Sequence, residues 1–327
     1  MTILVKGAGV AGLATALELA RKDRAVEVVE RRADIGLGAS HWAGGMLAPY
    51  CEREAAEEIV LTLGLGAADW WDEAVPGLVQ RRGPLVLANA RDLADLKRFA
   101  SRTHGHRWVG EDEIAELEPD LSGRFGTGLF FAEEAHLDPR RALRGLYEAA
   151  RQRGVCFGFG KEAGDAAGYS AVIDCRGPQA IGEIEGLRGV RGEMLYLETA
   201  EITLSRPVRL LHPRHPLYIV PRGNGRFMLG ATMIETDNDG PITARSMMEL
   251  LNTAYALHPA FAEARIIETG TGIRPAFPDN VPRLIETSEG LAVAGMHRHG
   301  FLLAPALARE AADRLTTSKA SERRRSA

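Results

Sequence analysis

The chain is expected to fold as a mixed α/β protein: a Rossmann-like dinucleotide-binding domain with an antiparallel-sheet substrate domain inserted into it. Three observations point there. Residues 3–31 read ILVKGAGVAGLATALELARKDRAVEVVER, a complete strand–helix–strand dinucleotide fingerprint. Residues 190–233 hold the β-rich segments RGEMLYLET, PLYIVPR and RFMLGAT, with Gly223-Asn224-Gly225 as a hairpin turn. Further alternating β and α signals lie on either side of that block, around 137–188 and in the last fifty residues, so the first domain is discontinuous.

The fingerprint begins with the apolar strand Ile3–Val5, which runs into Gly7-x-Gly9-x-x-Gly12. Gly7 permits the tight turn, Gly9 lets backbone approach a pyrophosphate, and Gly12 lets helix and strand pack closely. The following helix puts Val10, Leu13, Ala14, Leu17 and Ala20 on one face. Its N-terminus offers free N–H groups and a positive dipole end to phosphates. The second strand, Val26–Val29, ends at Glu30, eighteen residues after Gly12, where a carboxylate can accept hydrogen bonds from ribose hydroxyls. NAD, NADP and FAD all use this fingerprint, so it does not choose among them.

Gly36–Pro49 (GLGASHWAGGMLAP) is too rich in small residues for a core strand and suits close approach of backbone to a ligand. Residues 51–75, 91–103 and 244–256 read as helices, and Glu111–Glu118 as a short acidic one. Asp138-Pro139 supplies an N-cap and an N1 proline to a helix over Arg140–Arg153, which Gly154 stops. Ala171–Asp174 is a short buried strand. Leu291–Ala294 is another, leading through GMHRHG into a helix over Phe301–Leu315, with Pro305 near its first turn. The dinucleotide-binding domain is thus expected to comprise 1–78, 137–188 and 270–318, the substrate-binding domain 79–136 and 189–269, and 319–327 a flexible basic tail.

Composition narrows the function. The 327 residues carry a net charge of −4, which gives no basic field for nucleic acid. Cys51, Cys156 and Cys175 are far apart and lack metal-ligand spacing, so neither a disulfide framework nor a metal site is expected. The chain enters a strand at once, without a signal-peptide pattern, and no apolar run approaches the roughly 20 residues that span a bilayer. A cytoplasmic protein that binds no membrane is the expectation.

Several segments, in order along nearly the whole chain, carry a specific resemblance. They are Ser40-His41-Trp42-Ala43-Gly44-Gly45-Met46-Leu47-Ala48-Pro49, Arg191-Gly192-Glu193, Tyr218-Ile219-Val220-Pro221-Arg222 and Gly230-Ala231-Thr232-Met233. Gly272-Ile273-Arg274-Pro275 with Pro278-Asp279 follows, then Gly295-Met296-His297-Arg298-His299-Gly300 running into Leu302-Leu303-Ala304-Pro305. Together they resemble the glycine oxidase branch of the D-amino-acid oxidase family, flavoenzymes that feed thiazole synthesis in thiamine biosynthesis.

The resemblance implies an enzyme with non-covalent FAD. It would oxidise glycine or another small amino acid by hydride transfer from Cα to flavin N5, giving an imine, with oxygen as electron acceptor and hydrogen peroxide as product. Arg274 would clamp the substrate carboxylate and Tyr218 would hydrogen-bond it. Arg298 would lie near substrate and flavin, and Met233 would wall the site. The planar Arg fork suits a carboxylate bidentately. FAD contacts would come from Gly7, Gly9, Val10, Ala11 and Gly12, from Glu30 and Arg31, from Ala39 and Ser40, and from Gly44, Gly45 and Met46. Gly177 and the run Gly295, Met296, His297, Arg298, His299, Gly300, Phe301 and Leu302 would supply the rest. His41, His297 and His299 read as cofactor packing in preference to bases or ligands. A homo-oligomer and a hand-over of the imine to thiazole synthase are both compatible with the resemblance.

Three departures limit the carry-over. The segment between Val155 and Val172 is short for strands that cover an adenine, Arg176 stands where relatives have a small residue, and Pro216 lies two residues before Tyr218. No cysteine lies near Arg274 or Arg298 in sequence, which argues against covalent flavin. A sarcosine or D-amino-acid oxidase or dehydrogenase on the same scaffold, a nicotinamide dehydrogenase, and a non-catalytic flavin-binding protein are the alternatives.

Overall fold

A computed structural model describes residues 2–162, 164, 166–212 and 216–325, with backbone alone from residue 317. Among the described residues the strands form a six-stranded, an eight-stranded and a two-stranded sheet. The six-stranded sheet runs Arg283–Thr287, Gly290–Ala294, Ala171–Asp174, Ile3–Lys6, Val26–Glu30, Cys156–Phe159. All its neighbours are parallel except the first two, a hairpin the sequence reading did not foresee. The fully buried strand Ile3–Lys6 sits inside the sheet, as continuous apolar parallel strands do. The helix Val10–Arg21 covers one face and packs against the closing helix Gly300–Arg325.

The eight-stranded sheet is larger than expected. Besides Arg188–Glu198, Leu217–Gly223 and Arg226–Gly230 it holds Arg265–Ala276, Val208–Leu211, Leu85–Ala88, Thr127–Phe130 and Arg107–Gly110. Its one parallel junction joins Leu85–Ala88 to Val208–Leu211. The short strands at 85–88, 107–110 and 127–130 lie among helical signals, and Leu85–Ala88 has a partner, Val208–Leu211, over a hundred residues away. The strand Arg265–Ala276 crosses the boundary expected at residue 270, pairing with Arg188–Glu198 along its length. The hairpin at 223–225 is present, with Asn224 and Gly225 both at positive φ, 52° and 69°.

Helix boundaries follow local chemistry. Asp138 caps Pro139–Gln152 by accepting from the backbone N–H groups of Arg140 and Arg141 at 2.8 and 3.1 Å. The helix expected over 51–75 is three pieces, Pro49–Glu52, Glu58–Gly64 and Ala67–Ala74. Gly64 and Gly66 interrupt it, and a Cβ on Gly64 would stand 3.0 Å from Leu302. The closing helix continues to Arg325, so the backbone of the expected tail prolongs it, and Ser326 and Ala327 lie outside the described residues.

Candidate active site

One cleft of about 1870 Å³, its open mouth included, runs from Glu30 to Arg274. At its nucleotide end the fingerprint glycines do different jobs. Gly7 has φ +100°, and a Cβ there would meet the Cys175 carbonyl at 2.8 Å. A Cβ on Gly12 would stand 1.9 Å from the Gly7 carbonyl, so helix and turn touch through bare backbone. These two glycines support the cleft from behind, whereas Gly9, Val10 and Ala11 line it. The helix Val10–Arg21 has no side-chain cap of its own, and Ser40 Oγ accepts from Val10 N–H at 3.1 Å. The other first-turn amides face the cleft with the positive end of the helix.

Glu30 is buried, and its two oxygens accept from the Ala8 and Arg32 amides, each at 2.9 Å. It lines the cleft, as does Arg32. Arg31, expected to touch the cofactor, lies exposed outside it. The alternation of an extended chain explains this: with Glu30 turned inward, its neighbour turns outward. Arg176 does line the cleft, but its guanidinium is turned onto Asp174 and Glu183, which leaves Gly177 to present backbone.

The middle of the cleft is made by loops that long-range contacts hold still. Ala39 and Ser40 lie in the short 3₁₀ turn Ala39–Trp42, and Trp42 packs where a Cβ on Gly270 would stand 2.1 Å away. Arg222 donates to the Gly44 carbonyl at 2.8 Å and the Leu137 carbonyl at 3.2 Å, pinning Gly44, Gly45 and Met46. Across from them lie Met296, His297, His299, Gly300, Phe301 and Leu302, while Gly295, at φ +75°, packs behind against Phe277. Burial, aided by neighbouring cations, pulls His297 down to about 3 and His299 to about 4, so both rings are neutral at pH 7. Their Nδ1 atoms are buried without a hydrogen-bond partner.

At the far end Arg274 and Tyr218 meet. Arg274 NH1 donates to the Thr232 carbonyl at 3.0 Å, and the guanidinium lies over Gly192, where a Cβ would be 2.2 Å from NH2. Glu193 N–H in turn donates to Thr232 Oγ1 at 3.0 Å, so the Arg191-Gly192-Glu193 segment both clears room for the arginine and fixes its acceptor. Among the described residues Arg274 has no carboxylate partner. Burial lowers its pKa, but a guanidinium keeps its proton. Burial raises the Tyr218 phenol, which therefore stays a donor. Gly44 touches the Tyr218 ring, since a Cβ there would be 2.7 Å from it. Met233 is on the rim, 60% exposed.

Arg298 is also in the cleft, and sequence reasoning missed its partner. Glu52 takes Arg298 side-on, Nε to Oε2 at 2.7 Å and NH2 to Oε1 at 2.9 Å. Burial pushes Glu52 up, but Arg298, His299 and Arg209 outweigh it and hold the carboxyl at about 2. The two residues are 246 apart in sequence, and nothing near Glu52, the first of four glutamates over 52–58, singles it out. The spacing of the cysteines also misled: Cys51, next to Glu52, lines the cleft. Burial and the nearby Glu134 push its thiol well up, so it stays protonated and is no nucleophile. Glu134, buried behind it, is itself raised to about 8 by burial.

The FAD dependent oxidoreductase (DAO) family model matches residues 2–314. The chain belongs to the FAD dependent oxidoreductase family. Among its relatives is a protein of Rhizobium etli assigned provisionally as thiamine biosynthesis oxidoreductase ThiO, 58% identical over 99% of both chains. Glycine oxidase of Geobacillus kaustophilus is 28% identical over 93% of this chain and 89% of that one. A crystal structure of glycine oxidase from the same species superposes with a TM-score of 0.81, at 24% identity, covering 95% of this chain and 94% of that one. Membership in this family sets aside the nicotinamide alternative.

The cleft fits the family's cofactor. It offers an open helix N-terminus suited to a pyrophosphate and a buried carboxylate, Glu30, at the end of the second fingerprint strand. It also offers His297 Nδ1, buried without a hydrogen-bond partner. Among the described residues no cluster of His, Cys, Asp or Glu could hold a metal, and no helix is long and apolar enough to cross a membrane. Glu30→Ala is expected to weaken FAD binding by on the order of 1.5–3 kcal/mol per ribose hydrogen bond lost. Turnover at saturating FAD should stay near wild type. Fluorescence titration of the apoprotein checks the first, and unchanged FAD affinity would remove Glu30 from the cofactor site.

Proposed function

We propose that this protein oxidises glycine, or another small amino acid, at the Cα–N bond and does so in thiamine biosynthesis. The observation that supports it most is Arg274: a half-buried guanidinium with no carboxylate of its own among the described residues, beside the protonated Tyr218, in the same cleft as the dinucleotide fingerprint. An amino acid's carboxylate supplies the missing anion. Arg274 NH2 and Nε bind it, Tyr218 Oη donates to it, and the packed loops at Gly44–Met46 exclude water. Held this way, Cα is fixed relative to the cleft's middle, and positioning of this kind carries much of a reaction's rate.

FAD, when bound, accepts the electron pair, which ends on oxygen. The balance is glycine plus oxygen plus water to glyoxylate, ammonia and hydrogen peroxide. The amine must lose a proton before or as the Cα–H bond breaks, and the guanidinium cations of Arg274 and Arg298 in the cleft favour that loss. The imine either hydrolyses or passes to thiazole synthase, and the enzyme works in the cytoplasm. The cofactor sits in a domain made of 1–78, 137–188 and 270–318, against a substrate domain of 79–136 and 189–269.

The test is direct. The purified protein should be yellow, and acid should release its flavin as free FAD, because the Cys51 thiol is held protonated. Flavin left in the precipitate would contradict non-covalent binding. Peroxide release with glycine, sarcosine and D-alanine then ranks substrates. A flavin-loaded protein that releases none, and passes no electrons to an artificial acceptor, would end this reading.

A further inference from the structure

The substrate end of the cleft carries a third guanidinium that the reaction above does not use. Arg209 lies in the strand Val208–Leu211, in register with Tyr218 on the neighbouring antiparallel strand, and lines the same cleft. Residues opposite one another on adjacent strands project to the same face, so Arg209 and Tyr218 look into the cleft side by side. The Arg209 side chain is 15% exposed, and its guanidinium lies over the Phe99 ring, 5.1 Å from the centroid. That stacking fixes the stem without using its N–H donors.

The donors have little else to do. The nearest carboxylate is Glu54, at 3.9 Å, beyond hydrogen-bond reach, and Glu54 also faces Arg102 at 3.7 Å. The other arginines nearby are committed. Arg298 spends two donors on Glu52, and Arg206 is held by Glu118 and by the Leu117 and Arg82 carbonyls. Among the described residues the Arg209 guanidinium places none of its five N–H groups in a hydrogen bond. The charges facing it are Glu52, already paired, and Glu54, loosely shared; the cations Arg298 and Arg274 line the same cleft. Glu134 behind them adds no charge while protonated. With an α-carboxylate on Arg274, Arg209 is the cation left without a close anion.

Resting on the proposed function, we infer that Arg209 is a second anion anchor, and that the enzyme takes small amino acids bearing a second carboxylate, on the side chain or on the amine nitrogen. The chemistry is the same as for glycine. A Cα–H and an N–H are lost, the electron pair ends on oxygen as hydrogen peroxide, and water splits the imine. Iminodiacetate would give glyoxylate and glycine, and D-aspartate oxaloacetate and ammonia.

The test compares each acid with a neutral counterpart on the FAD-loaded enzyme: iminodiacetate with N-ethylglycine, D-aspartate with D-asparagine. In at least one pair kcat/KM should favour the acid by about tenfold or more, and the pair that does so shows which carboxylate reaches Arg209. R209Q should collapse that ratio to within about threefold, and R209K should keep part of it. Independently of turnover, calorimetry should find succinate binding about tenfold or more tighter than propionate to wild type but not to R209Q. FAD content and Tm show that the variants are folded, and the wild-type ratios need no variant. No preference in either pair, or a preference that survives R209Q, overturns the anchor. Glycine oxidation without acid preference would sink the anchor and leave the proposed function standing. Succinate preference in an enzyme that oxidises no amino acid would do the reverse.

Discussion

Replacing Arg274 with alanine is expected to lower kcat/KM for glycine by about two to four decades, because a buried carboxylate left without its partner costs roughly 3–5 kcal/mol. The lesion should be confined to the substrate. Among the described residues the Arg274 guanidinium makes one hydrogen bond, to the Thr232 carbonyl, so its loss removes little from the fold. FAD content and Tm should stay near wild type. Arg274→Lys should recover only part of the activity, since an ammonium cannot reproduce the planar fork. Gly192→Ala gives an independent check, for its Cβ would stand 2.2 Å from Arg274 NH2 and must displace the guanidinium. It should raise KM while the arginine is still present. An Arg274→Ala enzyme with full FAD and near-normal kcat/KM on glycine would transfer the clamp to Arg298, once Arg298 is freed from Glu52.

The parts of this protein that are local in sequence are the parts that reading the sequence recovers. The glycine turn, the capped helix after Asp138 and the 223–225 hairpin are each set by residues within a few positions of one another. The short strands at 85–88, 107–110 and 127–130 have no such signal. Four residues cannot establish a period, and what makes them strands is hydrogen bonding to partners such as Val208–Leu211, over a hundred residues away from Leu85–Ala88. The site divides in the same way. Arg274, Tyr218 and Arg298 stand inside recognisable segments, and the structure brings all three to one cleft. What supports them is not legible in sequence, even where the supporting residue stands in a recognisable segment: Thr232 and Gly192 for Arg274, Glu52 for Arg298, Arg222 for the Gly44–Met46 loop. Each support is a contact between distant segments that nothing in either segment announces. Cys51 shows the opposite error, where distance in sequence was taken for distance in space.

Glu52→Gln tests the most consequential of those hidden contacts. The carboxylate meets Arg298 through two close contacts, 2.7 and 2.9 Å, with its side chain only 14% exposed. Burial alone would raise its pKa, so the fall from 4.5 to about 2 measures how strongly Arg298, His299 and Arg209 prefer it ionised. At about 1.36 kcal/mol per pH unit the whole shift corresponds to about 3 kcal/mol, an upper bound at pH 7 because the His299 ring is neutral there and only the arginines act. The folded pKa lies below the ordinary one, so the contribution is fully present above about pH 4.5 and is lost as the pH falls through about 2. Glu52→Gln should therefore unfold more easily than wild type at pH 7 and pH 5, by up to about 3 kcal/mol, with the gap narrowing by pH 3. Urea midpoints at the three pH values measure this, and carboxylates common to both proteins cancel in the difference. Glu52→Gln with Arg298→Met should cost less than Glu52→Gln alone, because the greater penalty falls on a guanidinium left half-buried and unpaired. Equal midpoints at pH 7 would show that Arg298 finds another partner. A gap that stays constant down to pH 3 would show that the carboxylate's charge is not what holds it.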